Sequence, residues 1–313
     1  PAVAADLRSR VLNAVQVLGY QPKRAARRLR AQSSNVIGLI ISDIQNPYFI
    51  SVIRGVEDAA YANQMNIVLC NSDEDPAKER IYLGVLEAER VAGLIIVPTH
   101  DTNETDLNRL QQMGIPVILL DRLVAAVQVD AVRVDNERGA YEAVKHLLDL
   151  GCRKIAHISG SPNLTTGHDR AQGYQHALAE VGLKPEAKWI KTGDFKTESG
   201  YRLTLELLDL PKPPDALFVA NNLMTLGALR ALRERNVRVP EDMALVGFDD
   251  MPWSAEFHSP LTAVSQPTYE LGQESVHLLL RRLAQPDAPV RTVVLHTRLI
   301  VRESCGAALK LRR

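Results

Sequence analysis

The sequence lacks every short motif that would mark a familiar class of enzyme. It has no GxGxxG, GxxxxGK[ST], GxSxG or HExxH segment, so the motifs of dinucleotide binding, phosphate binding, serine hydrolysis and zinc proteolysis are absent. Its eight histidines are scattered, and none pairs with a neighbouring His or Cys at a spacing that suits a metal ion. We therefore expect a protein that is not an enzyme and that requires no cofactor or metal.

Cysteine is scarce, and long apolar runs are absent. Cys70, Cys152 and Cys305 are odd in number and far apart, which is typical of reduced thiols in a cytoplasm. Cys70 is predicted to be a buried strand residue. No run of about 18 apolar residues predicts a membrane span, and no apolar signal core with a small-residue cleavage site is seen near the N-terminus. These absences favour a cytoplasmic protein.

The net charge is zero, with 37 basic and 37 acidic side chains among 313 residues, but the charges are distributed unevenly. Residues 1–35 hold seven basic side chains and one acidic one, a charge of +6, so the rest of the chain carries −6. Five of the positive charges lie in PKRAARRLR, residues 22–30. A positive arm on a mildly acidic body indicates a polyanionic partner for the arm alone, although a solvated basic helix is the alternative.

From residue 35 onward, short β-branched apolar runs alternate with amphipathic stretches. We predict strands at 36–42, 66–72, 93–98, 116–121, 131–135, 154–160, 216–221 and 243–250. Continuous apolar strands that alternate with helices form parallel sheets covered on both faces. Because the chain falls into two similar halves, we predict an α/β protein with two doubly wound parallel-sheet subdomains. Ligands bind at the carboxyl ends of such strands, so a ligand cleft is expected between the halves.

Before residue 35 the pattern predicts two short helices. Apolar residues recur at helical spacing in AADLRSRVLNAVQVLGY (4–20) and stop at Gly19. Pro22 can open a second helix, whose one large apolar residue is Leu29. A helix with so little surface to bury is marginal alone, so we expect it to form when a partner neutralises its arginines.

Ordered motifs run through nearly the whole chain, and together they resemble the lactose/galactose-repressor family of transcription regulators. The motifs include VLNAVQVLGYQP, AARRL, NVIGLIISDIQNPYF, GIPVILLDR, HLLDLGCRKIAHISG, FVANNLMTLGALRAL, VPEDMALVGFDD and PLTAVSQP. The resemblance covers all but the last eight residues. It implies a bilobed core that binds an effector, as in periplasmic sugar-binding proteins, joined by a hinge helix to a helix-turn-helix headpiece and working as a homodimer.

The resemblance also implies a division of the chain into five parts. Residues 1–21 correspond to the C-terminal helix of an incomplete headpiece, 22–34 to the hinge helix and linker, 35–135 with 267–295 to the N-terminal effector-binding subdomain, 136–266 with 296–305 to the C-terminal one, and 306–313 to a basic tail. The family's headpiece has three helices, and this chain begins near the third. We therefore expect most direct readout of base pairs to be missing.

The basic segment becomes the implied hinge helix. Its expected DNA contacts are Lys23, Arg24, Arg27, Arg28, Leu29 and Arg30. The cations would neutralise phosphates, a contribution that weakens with salt and does not depend on base sequence. Leu29 would be the apolar wedge between base pairs in the minor groove, where the cost of unstacking permits a bend with more contacts.

Polar side chains end several predicted strands. Asp121, Asn221 and Asp249 hold such positions, and carboxylates together with a guanidinium such as that of Arg170 suit the vicinal hydroxyls of a sugar. The resemblance places the family's effector contacts on Asn46, Phe49, Asp121, Arg170, Phe195, Asn221, Asp249 and Gln266. A sugar is the expected effector, although a nucleoside or a purine would use the same types of side chain.

Structural roles compete with these assignments. Asn221 and Asp249 could cap the helices that follow them. Arg170 could be the ion-pair partner of Asp169 or Asp194, since buried arginines are normally paired.

Four other residues carry open interpretations. Phe49 could belong to the core, and His157 is expected to be a core or cleft residue with a satisfied hydrogen bond. Trp253 could border the cleft or a subunit contact. Asn222 stands where the family commonly has Asp; its amide can still cap a helix, but a local charge is lost.

The implied dimer would bury residues 46–62 and the helix at 222–234. Val52, Val56 and Ala59 share one helical face and could contact either the sheet or a partner subunit.

The first functional hypothesis is a transcription regulator, most simply a repressor, in which the effector changes the angle between the two halves of the core. A solute-binding receptor would have a similar core, but the basic arm and the absence of an export signal argue against it. An enzyme of the doubly wound class is the third possibility, and turnover of a bound sugar would reveal it.

Overall fold

The computed structural model describes residues 5–17 and 34–307, and the chain divides into two units, Pro1–Asn35 and Val36–Arg313. In the first unit, helix α1 spans Ala5–Val17, in agreement with the apolar spacing of this segment. Its Leu7, Val11 and Val17 side chains are exposed. The six predicted DNA contacts at residues 23–30 lie outside the described residues.

The strands of the second unit form two six-stranded sheets. Their bounds are β1 Val36–Ile41, β2 Asn66–Asn71, β3 Gly93–Ile96, β4 Val117–Leu120, β5 Asp130–Val134, β6 Ile155–Ser159, β7 Ile190–Thr192, β8 Ala216–Val219, β9 Ala244–Phe248, β10 Thr262–Ser265, β11 Thr292–Leu295 and β12 Arg298–Ile300. The first sheet has the order β11-β5-β4-β3-β1-β2 and is parallel throughout. The second has the order β12-β10-β9-β8-β6-β7, and only the β10–β12 pair is antiparallel. The predicted fold class is thus confirmed.

Helices cover both faces of each sheet. Their bounds are α2 Pro47–Ala62, α3 Pro76–Ala88, α4 Glu104–Gln112, α5 Asn136–Asp149, α6 Thr165–Glu180, α7 Thr197–Leu208, α8 Asn222–Glu234 and α9 Thr268–Ala284. Helices α2 and α9 pack on one face of the first sheet, with α3 and α4 on the other, to form subdomain 1. Helices α5 and α6 pack against α7 and α8 across the second sheet to form subdomain 2. None of the helices in residues 5–17 and 34–307 combines the length and apolar character that crossing a bilayer requires.

The chain passes between the subdomains three times, after β5, after β10 and between β11 and β12. Asp135, in the first of these crossings, binds the third: its carboxylate accepts hydrogen bonds from the Thr297 amide at 2.7 Å and from the Thr297 hydroxyl at 2.9 Å. His296 Nδ1 lies 2.8 Å from the other oxygen of Asp135. Two of the three connections are therefore held together at the hinge. The exact subdomain boundaries expected from the sequence stay a prediction.

The apolar face of α2 is buried within the chain. Val52, Val56 and Ala59 are at most 4% exposed and belong to the core beneath the first sheet. The alternative in which these three side chains contact a partner subunit is therefore wrong. Cys70, as predicted, is a buried strand residue.

Helices α2 and α9 cross with their backbones in close contact. A Cβ atom placed on Gly55 would lie 2.0 Å from the Tyr269 carbonyl oxygen, and one placed on Gly272 would lie 2.2 Å from the Val52 carbonyl oxygen. Both distances are far below van der Waals contact, so this crossing requires glycine on each helix. The close approach explains why two otherwise amphipathic helices each contain a residue that weakens helix formation.

His157 lies in the core of subdomain 2. Its ring stacks between Tyr174 and Phe218, with centroids 5.0 and 4.9 Å away, and Nδ1 donates a hydrogen bond of 3.1 Å to the Phe218 carbonyl oxygen. Of the two predicted positions, core or cleft, His157 takes the core, where Nδ1 has its hydrogen bond but the buried Nε2 has no partner among the described residues. Burial lowers the pKa of His157 from 6.5 to about 4.

This pKa shift predicts acid sensitivity. In the unfolded chain His157 takes up a proton below its ordinary pKa of 6.5, whereas in the folded protein it stays neutral until about pH 4. Stability should therefore fall as the pH falls through this window, by about 2 kcal/mol between pH 7 and pH 5. Urea unfolding at both pH values measures it. In His157→Phe this component of the pH dependence should disappear, and an unchanged dependence would contradict the prediction.

Candidate functional site

A cleft lies between the carboxyl ends of the strands of the two sheets. All eight predicted effector contacts line it: Asn46, Phe49, Asp121, Arg170, Phe195, Asn221, Asp249 and Gln266. The first three belong to subdomain 1, the next four to subdomain 2, and Gln266 lies in the second crossing between them. The doubly wound topology causes this convergence, because the carboxyl ends of all parallel strands lie at the same edge of the sheet, and the residues that follow them lie there too.

Two carboxylates line the cleft, one from each subdomain. Asp121 follows β4, and its Oδ1 accepts a 3.0 Å hydrogen bond from the Tyr48 hydroxyl. Asp249 follows β9 and accepts hydrogen bonds from Gln266 Nε2 at 2.5 Å and from the Asn222 amide at 3.3 Å. Both aspartates have positive φ angles, +67° and +72°. This uncommon conformation turns each side chain out of the strand direction, and such strain is concentrated at functional sites.

Arg170 is buried in the floor of the cleft on helix α6. Its Nε donates to Asn136 Oδ1 at 2.8 Å, its NH1 group donates to the Ala220 carbonyl oxygen at 2.6 Å, and the guanidinium lies 3.7 Å above the Phe248 ring. The ion-pair alternative is wrong. Asp169 pairs instead with Arg133 at 2.9 Å. The guanidinium is thus held in place by neutral partners, with Asp249 close enough to interact with its charge.

Asp194, the other proposed partner of Arg170, has its own local contacts. Its carboxylate accepts hydrogen bonds from the Lys196 amide at 2.9 Å and from the Ser199 hydroxyl at 2.5 Å. It therefore organises the start of α7 and takes no part in the Arg170 network.

Asn221 is both a helix cap and a cleft residue. Its Oδ1 accepts from the Met224 amide at 2.9 Å and caps α8, while its Nδ2 donates to the Phe195 carbonyl oxygen at 3.0 Å. The capping alternative is therefore confirmed for Asn221. Through the second bond, the cap fixes the loop that carries Phe195.

The two aromatic residues cover the cleft from opposite subdomains. Phe49 is 3% exposed and belongs to the core of subdomain 1 as well as to the cleft wall, so the core interpretation is confirmed, while its contact with an effector stays a prediction. Phe195 has a φ of +65°, unusual for a bulky residue. Its ring occupies the space where Gly160, directly after β6, has no side chain: a Cβ atom there would lie 1.9 Å from the ring.

Six cleft residues were missed by the sequence analysis: Asp43, Tyr48, Glu74, Thr166, Arg122 and Lys196. Arg122 is the most informative of them. It forms a two-pronged ion pair with Glu74 at 2.7 and 2.8 Å and donates to the Pro98 carbonyl oxygen at 3.0 Å. Arg122 follows Asp121 directly at the end of a strand, and this position could have predicted it as a cleft residue.

Two buried polar atoms in the cleft find no hydrogen-bond partner among the described residues. They are Nε of Arg122, a donor, and Oε1 of Gln266, an acceptor. A buried polar atom without a partner is costly, which makes each one a place where a ligand can contribute a hydrogen bond. A group that both donates and accepts, such as a hydroxyl, matches this pair of requirements.

The charges of the cleft nearly balance. Four acids, Asp43, Glu74, Asp121 and Asp249, face three bases, Arg122, Arg170 and Lys196. Burial raises the pKa of Asp249, against the lowering effect of Arg170 and of the Gln266 hydrogen bond. Burial also raises the pKa of the Tyr48 phenol, and the Asp121 carboxylate raises it further, so Tyr48 is a hydrogen-bond donor at neutral pH. Such a site suits an uncharged polar ligand.

Neither Trp253 nor a metal site forms part of the cleft. Trp253 is 44% exposed in a short turn at Pro252–Ala255 and is not among the lining side chains. Within residues 5–17 and 34–307, no group of three or more His, Cys, Asp or Glu side chains is arranged to hold a metal ion.

Several known proteins are similar to this chain in sequence and in structure. Residues 144–305 match the family described as periplasmic binding protein-like domain. Over 98% of its length the chain is 35% identical to the transcriptional repressor PurR of Haemophilus influenzae, covering 92% of that protein. It is 34% identical to the ribose operon repressor of Halalkalibacterium halodurans, over 96% of this chain and 89% of the relative. A LacI family transcriptional regulator from Enterococcus faecium, solved with bound ribose, aligns with a TM-score of 0.78 and 33% identity over 86% of this chain and 98% of that one.

Proposed function

The chain belongs to the LacI family of transcription regulators, also called the lactose/galactose-repressor family, and from this premise we propose that it is a repressor controlled by a small sugar. The sugar binds in the cleft between the subdomains, and the response is a change in DNA affinity. The observation that carries the sugar assignment is the cleft lining: carboxylates, guanidinium groups and amides converge there, and neither Nε of Arg122, which lies 3.8 Å from Asp121 Oδ2, nor Oε1 of Gln266 has a hydrogen-bond partner among the described residues.

A sugar fits this lining better than a purine does. Asp121 and Asp249 are acceptors and need donors, which hydroxyl groups supply in pairs, while Arg122 and Arg170 need acceptors, which the same hydroxyl oxygens supply. Phe49 and Phe195 can cover the apolar face of a small ring. A flat purine presents few donors to two carboxylates. The ribose operon repressor of Halalkalibacterium halodurans and the Enterococcus faecium structure with bound ribose make D-ribose the first candidate.

Thermal shift tests the effector class. A ligand that binds only the folded protein stabilises it by mass action and so raises its melting temperature. At a ligand concentration 100 times the dissociation constant, the free energy of unfolding increases by about 2.7 kcal/mol. We expect D-ribose or a related pentose to raise the melting temperature, and adenine, guanine and hypoxanthine to leave it unchanged. A rise with a purine and with no sugar would refute the sugar assignment.

The effector regulates by favouring one orientation of the two subdomains. It shifts the equilibrium only by as much as its affinity differs between the two orientations. In a dimer, a changed angle between the subdomains would alter the separation of the paired hinge helices and hence their fit to DNA.

Two other classes of function are less well supported. A solute-binding receptor would share the cleft, but it gives no role to the basic segment at residues 22–30. An enzyme would need a nucleophile, a metal or a phosphate-binding loop, and the cleft residues are instead engaged in fixed hydrogen bonds. A cytoplasmic location follows from the proposed role on DNA.

DNA binding is assigned to Lys23, Arg24, Arg27, Arg28, Leu29 and Arg30, the cations on phosphates and Leu29 as the minor-groove wedge. Each phosphate neutralised contributes about 0.9 to the slope of log affinity against log salt concentration. We expect Arg27→Ala to reduce that slope by about one for each arm bound, measured by fluorescence anisotropy on a random-sequence duplex. Lys212→Ala, which removes an exposed cation from the acidic body, is the matched control and should leave the slope unchanged. Equal slopes in all three proteins would exclude the arm as the phosphate contact.

The homodimer is proposed to use the edge of subdomain 1. Strand β2 is an edge strand of its sheet, and its Val68 and Leu69 are exposed, as are Ile81 and Val85 on the helix that follows. An unpaired edge next to exposed apolar side chains is a typical association surface. These residues replace Val52, Val56 and Ala59 as the candidates.

Sedimentation velocity at micromolar concentration tests this interface. The unaltered protein should sediment near twice 34.6 kDa. If this surface is the interface, Ile81→Asp places a charge in it. The dimer should then dissociate, and the variant should sediment as a monomer. Val181→Asp changes an exposed apolar residue of subdomain 2 and should not. A monomer in all cases would refute the dimer, and an intact Ile81→Asp dimer would refute this surface.

A further inference from the structure

The two rims of the cleft contact each other directly through polar side chains. Asn222, the first residue of α8 in subdomain 2, donates a 2.8 Å hydrogen bond from Nδ2 to Oδ1 of Asn46 in subdomain 1. Lys196 of subdomain 2 and Asp43 of subdomain 1 form an ion pair of 2.5 Å at the same opening. Both contacts span the cleft, so both exist only while the subdomains are close together.

The Asn222–Asn46 contact has a defined polarity. Oδ1 of Asn46 also accepts a 3.0 Å hydrogen bond from the Tyr48 amide and so caps helix α2. This cap fixes the carbonyl end of the Asn46 amide toward the start of α2. A partner across the cleft must therefore be a donor, and Asn222 supplies one through Nδ2.

Asn222 is oriented from its own side as well. Its Oδ1 accepts a 2.8 Å bond from the Leu223 amide, and its backbone amide donates to Asp249. Its Nδ2 also lies 3.2 Å from the Met251 sulfur. Asn222 is buried, so this amide is held between two effector-contact candidates, Asn46 and Asp249, with little freedom to turn.

We propose that Asn222 is a latch and a positioning residue: its side-chain amide stabilises the closed orientation of the subdomains and holds Asn46 in the geometry that meets the effector. The role toward the effector rests on the proposed function, which identifies the effector as a sugar. The closure of the subdomains does not depend on that identification. Closure stabilised by the chain's own side chains means that the effector has to supply less of the free energy of closing.

The choice of asparagine over aspartate is decisive for this role. In Asn222→Asp the Leu223 amide keeps its acceptor, but an anionic oxygen replaces the donor that faces Asn46 Oδ1. Two acceptors at 2.8 Å repel, and the new charge is placed on a residue whose backbone amide already donates to the Asp249 carboxylate. Asn46 cannot turn its amide to relieve the repulsion without giving up the α2 cap. Asn222→Asp should therefore open the cleft, whereas Asn222→Ala adds no repulsion and removes a single hydrogen bond between the subdomains, along with the local contacts of the side chain to Leu223 and Met251.

Pulsed electron–electron resonance measures the opening directly. Spin labels are attached at Asp101→Cys and Asn163→Cys, exposed loop positions beyond the carboxyl ends of β3 and β6. Cys152→Ser removes the half-buried native thiol, and Cys70 and Cys305 are buried. Without any added ligand, we expect the ratio of short to long label separations to fall about fivefold in Asn222→Ala, which loses one buried hydrogen bond between the subdomains. In Asn222→Asp, where repulsion is added to this loss, the ratio should fall about tenfold or more.

Asn236→Asp is the matched control, since it makes the same chemical change at an exposed position of the same subdomain and should leave the distances unchanged. An unchanged distribution in both Asn222 variants would overturn the proposal, as would equal opening in Asn236→Asp. Urea unfolding of each variant separates opening from loss of the fold. D-ribose is then added as the probe: its binding should weaken in the order in which the variants open. If D-ribose binds none of the proteins while the distances shift as expected, the latch stands and the sugar assignment alone fails.

Discussion

Arg170→Ala is expected to lower the affinity of the cleft for D-ribose by roughly 10- to 100-fold. The side chain is buried, and hydrogen bonds that involve a charged group contribute about 1.5–3 kcal/mol each. The substitution removes the guanidinium that the ligand would meet. It also leaves Asn136 Oδ1 and the Ala220 carbonyl without their donor, so the floor of the cleft loses its order.

Isothermal titration calorimetry measures this affinity, and two further variants make the result specific. Arg238→Ala removes an exposed guanidinium of the same subdomain, paired with Asp242, and should leave binding unchanged. Arg170→Lys keeps the charge but loses the planar fork, so it should recover little of the lost affinity. Affinity within twofold of the original in Arg170→Ala would remove Arg170 from the effector site.

Gly55→Ala is expected to reduce the free energy of unfolding by more than about 3 kcal/mol. The added methyl group would lie 2.0 Å from the Tyr269 carbonyl oxygen and 3.2 Å from the Gln273 amide nitrogen, both of them backbone atoms of α9. Backbone cannot move aside like the end of a side chain, so the helices must separate and unpack the core beneath them. Overpacking of ordinary cores costs about 1–3 kcal/mol, and this contact is more severe.

Gly84→Ala is the control with the opposite sign. Gly84 lies on the exposed side of α3 in the same subdomain, and a Cβ atom placed there meets nothing within 4 Å. Alanine in a helix interior is more favourable than glycine by about 0.5–1 kcal/mol, so this variant should be slightly more stable. Urea unfolding at pH 7 measures both. Similar stability of the two variants would show that α2 and α9 can accommodate a methyl group at Gly55, and that their backbones are therefore not in close contact there.

Apolar periodicity predicted the parallel strands well and the edges of the sheets poorly. Each of the eight predicted segments contains a strand, and all of these strands except the half-exposed edge strand β2 are largely buried, which makes them continuous apolar runs. Strands β7, β10, β11 and β12 were not predicted. Strands β7 and β12 have three residues each, and β11 is half-exposed, so none of these three has a long apolar run. Strand β10 is buried, but its sequence TAVS begins and ends with a polar residue, so it forms no continuous apolar run like the predicted strands of the same length.

The cleft was predictable where it depends on topology and unpredictable where it depends on the fit between the subdomains. Asp121, Asn221 and Asp249 stand at strand ends, and parallel sheets bring such positions together. The roles of Asn222 and Lys196 arise from partners 176 and 153 residues away in the chain. Nothing local in the sequence specifies those contacts, because they depend on the angle at which the two subdomains meet.

The three crossings of the hinge also dictate an order of assembly during protein synthesis. Subdomain 1 holds the first five strands, but its sheet ends with β11 (Thr292–Leu295), and α9 (Thr268–Ala284) covers one of its faces. On the ribosome, those first five strands must therefore wait, with one face covered by α2 alone, until almost the whole chain has emerged. Exposed apolar surface in such an intermediate favours aggregation. Translation pauses before residue 268 should therefore lower the yield of folded protein more than pauses after residue 300.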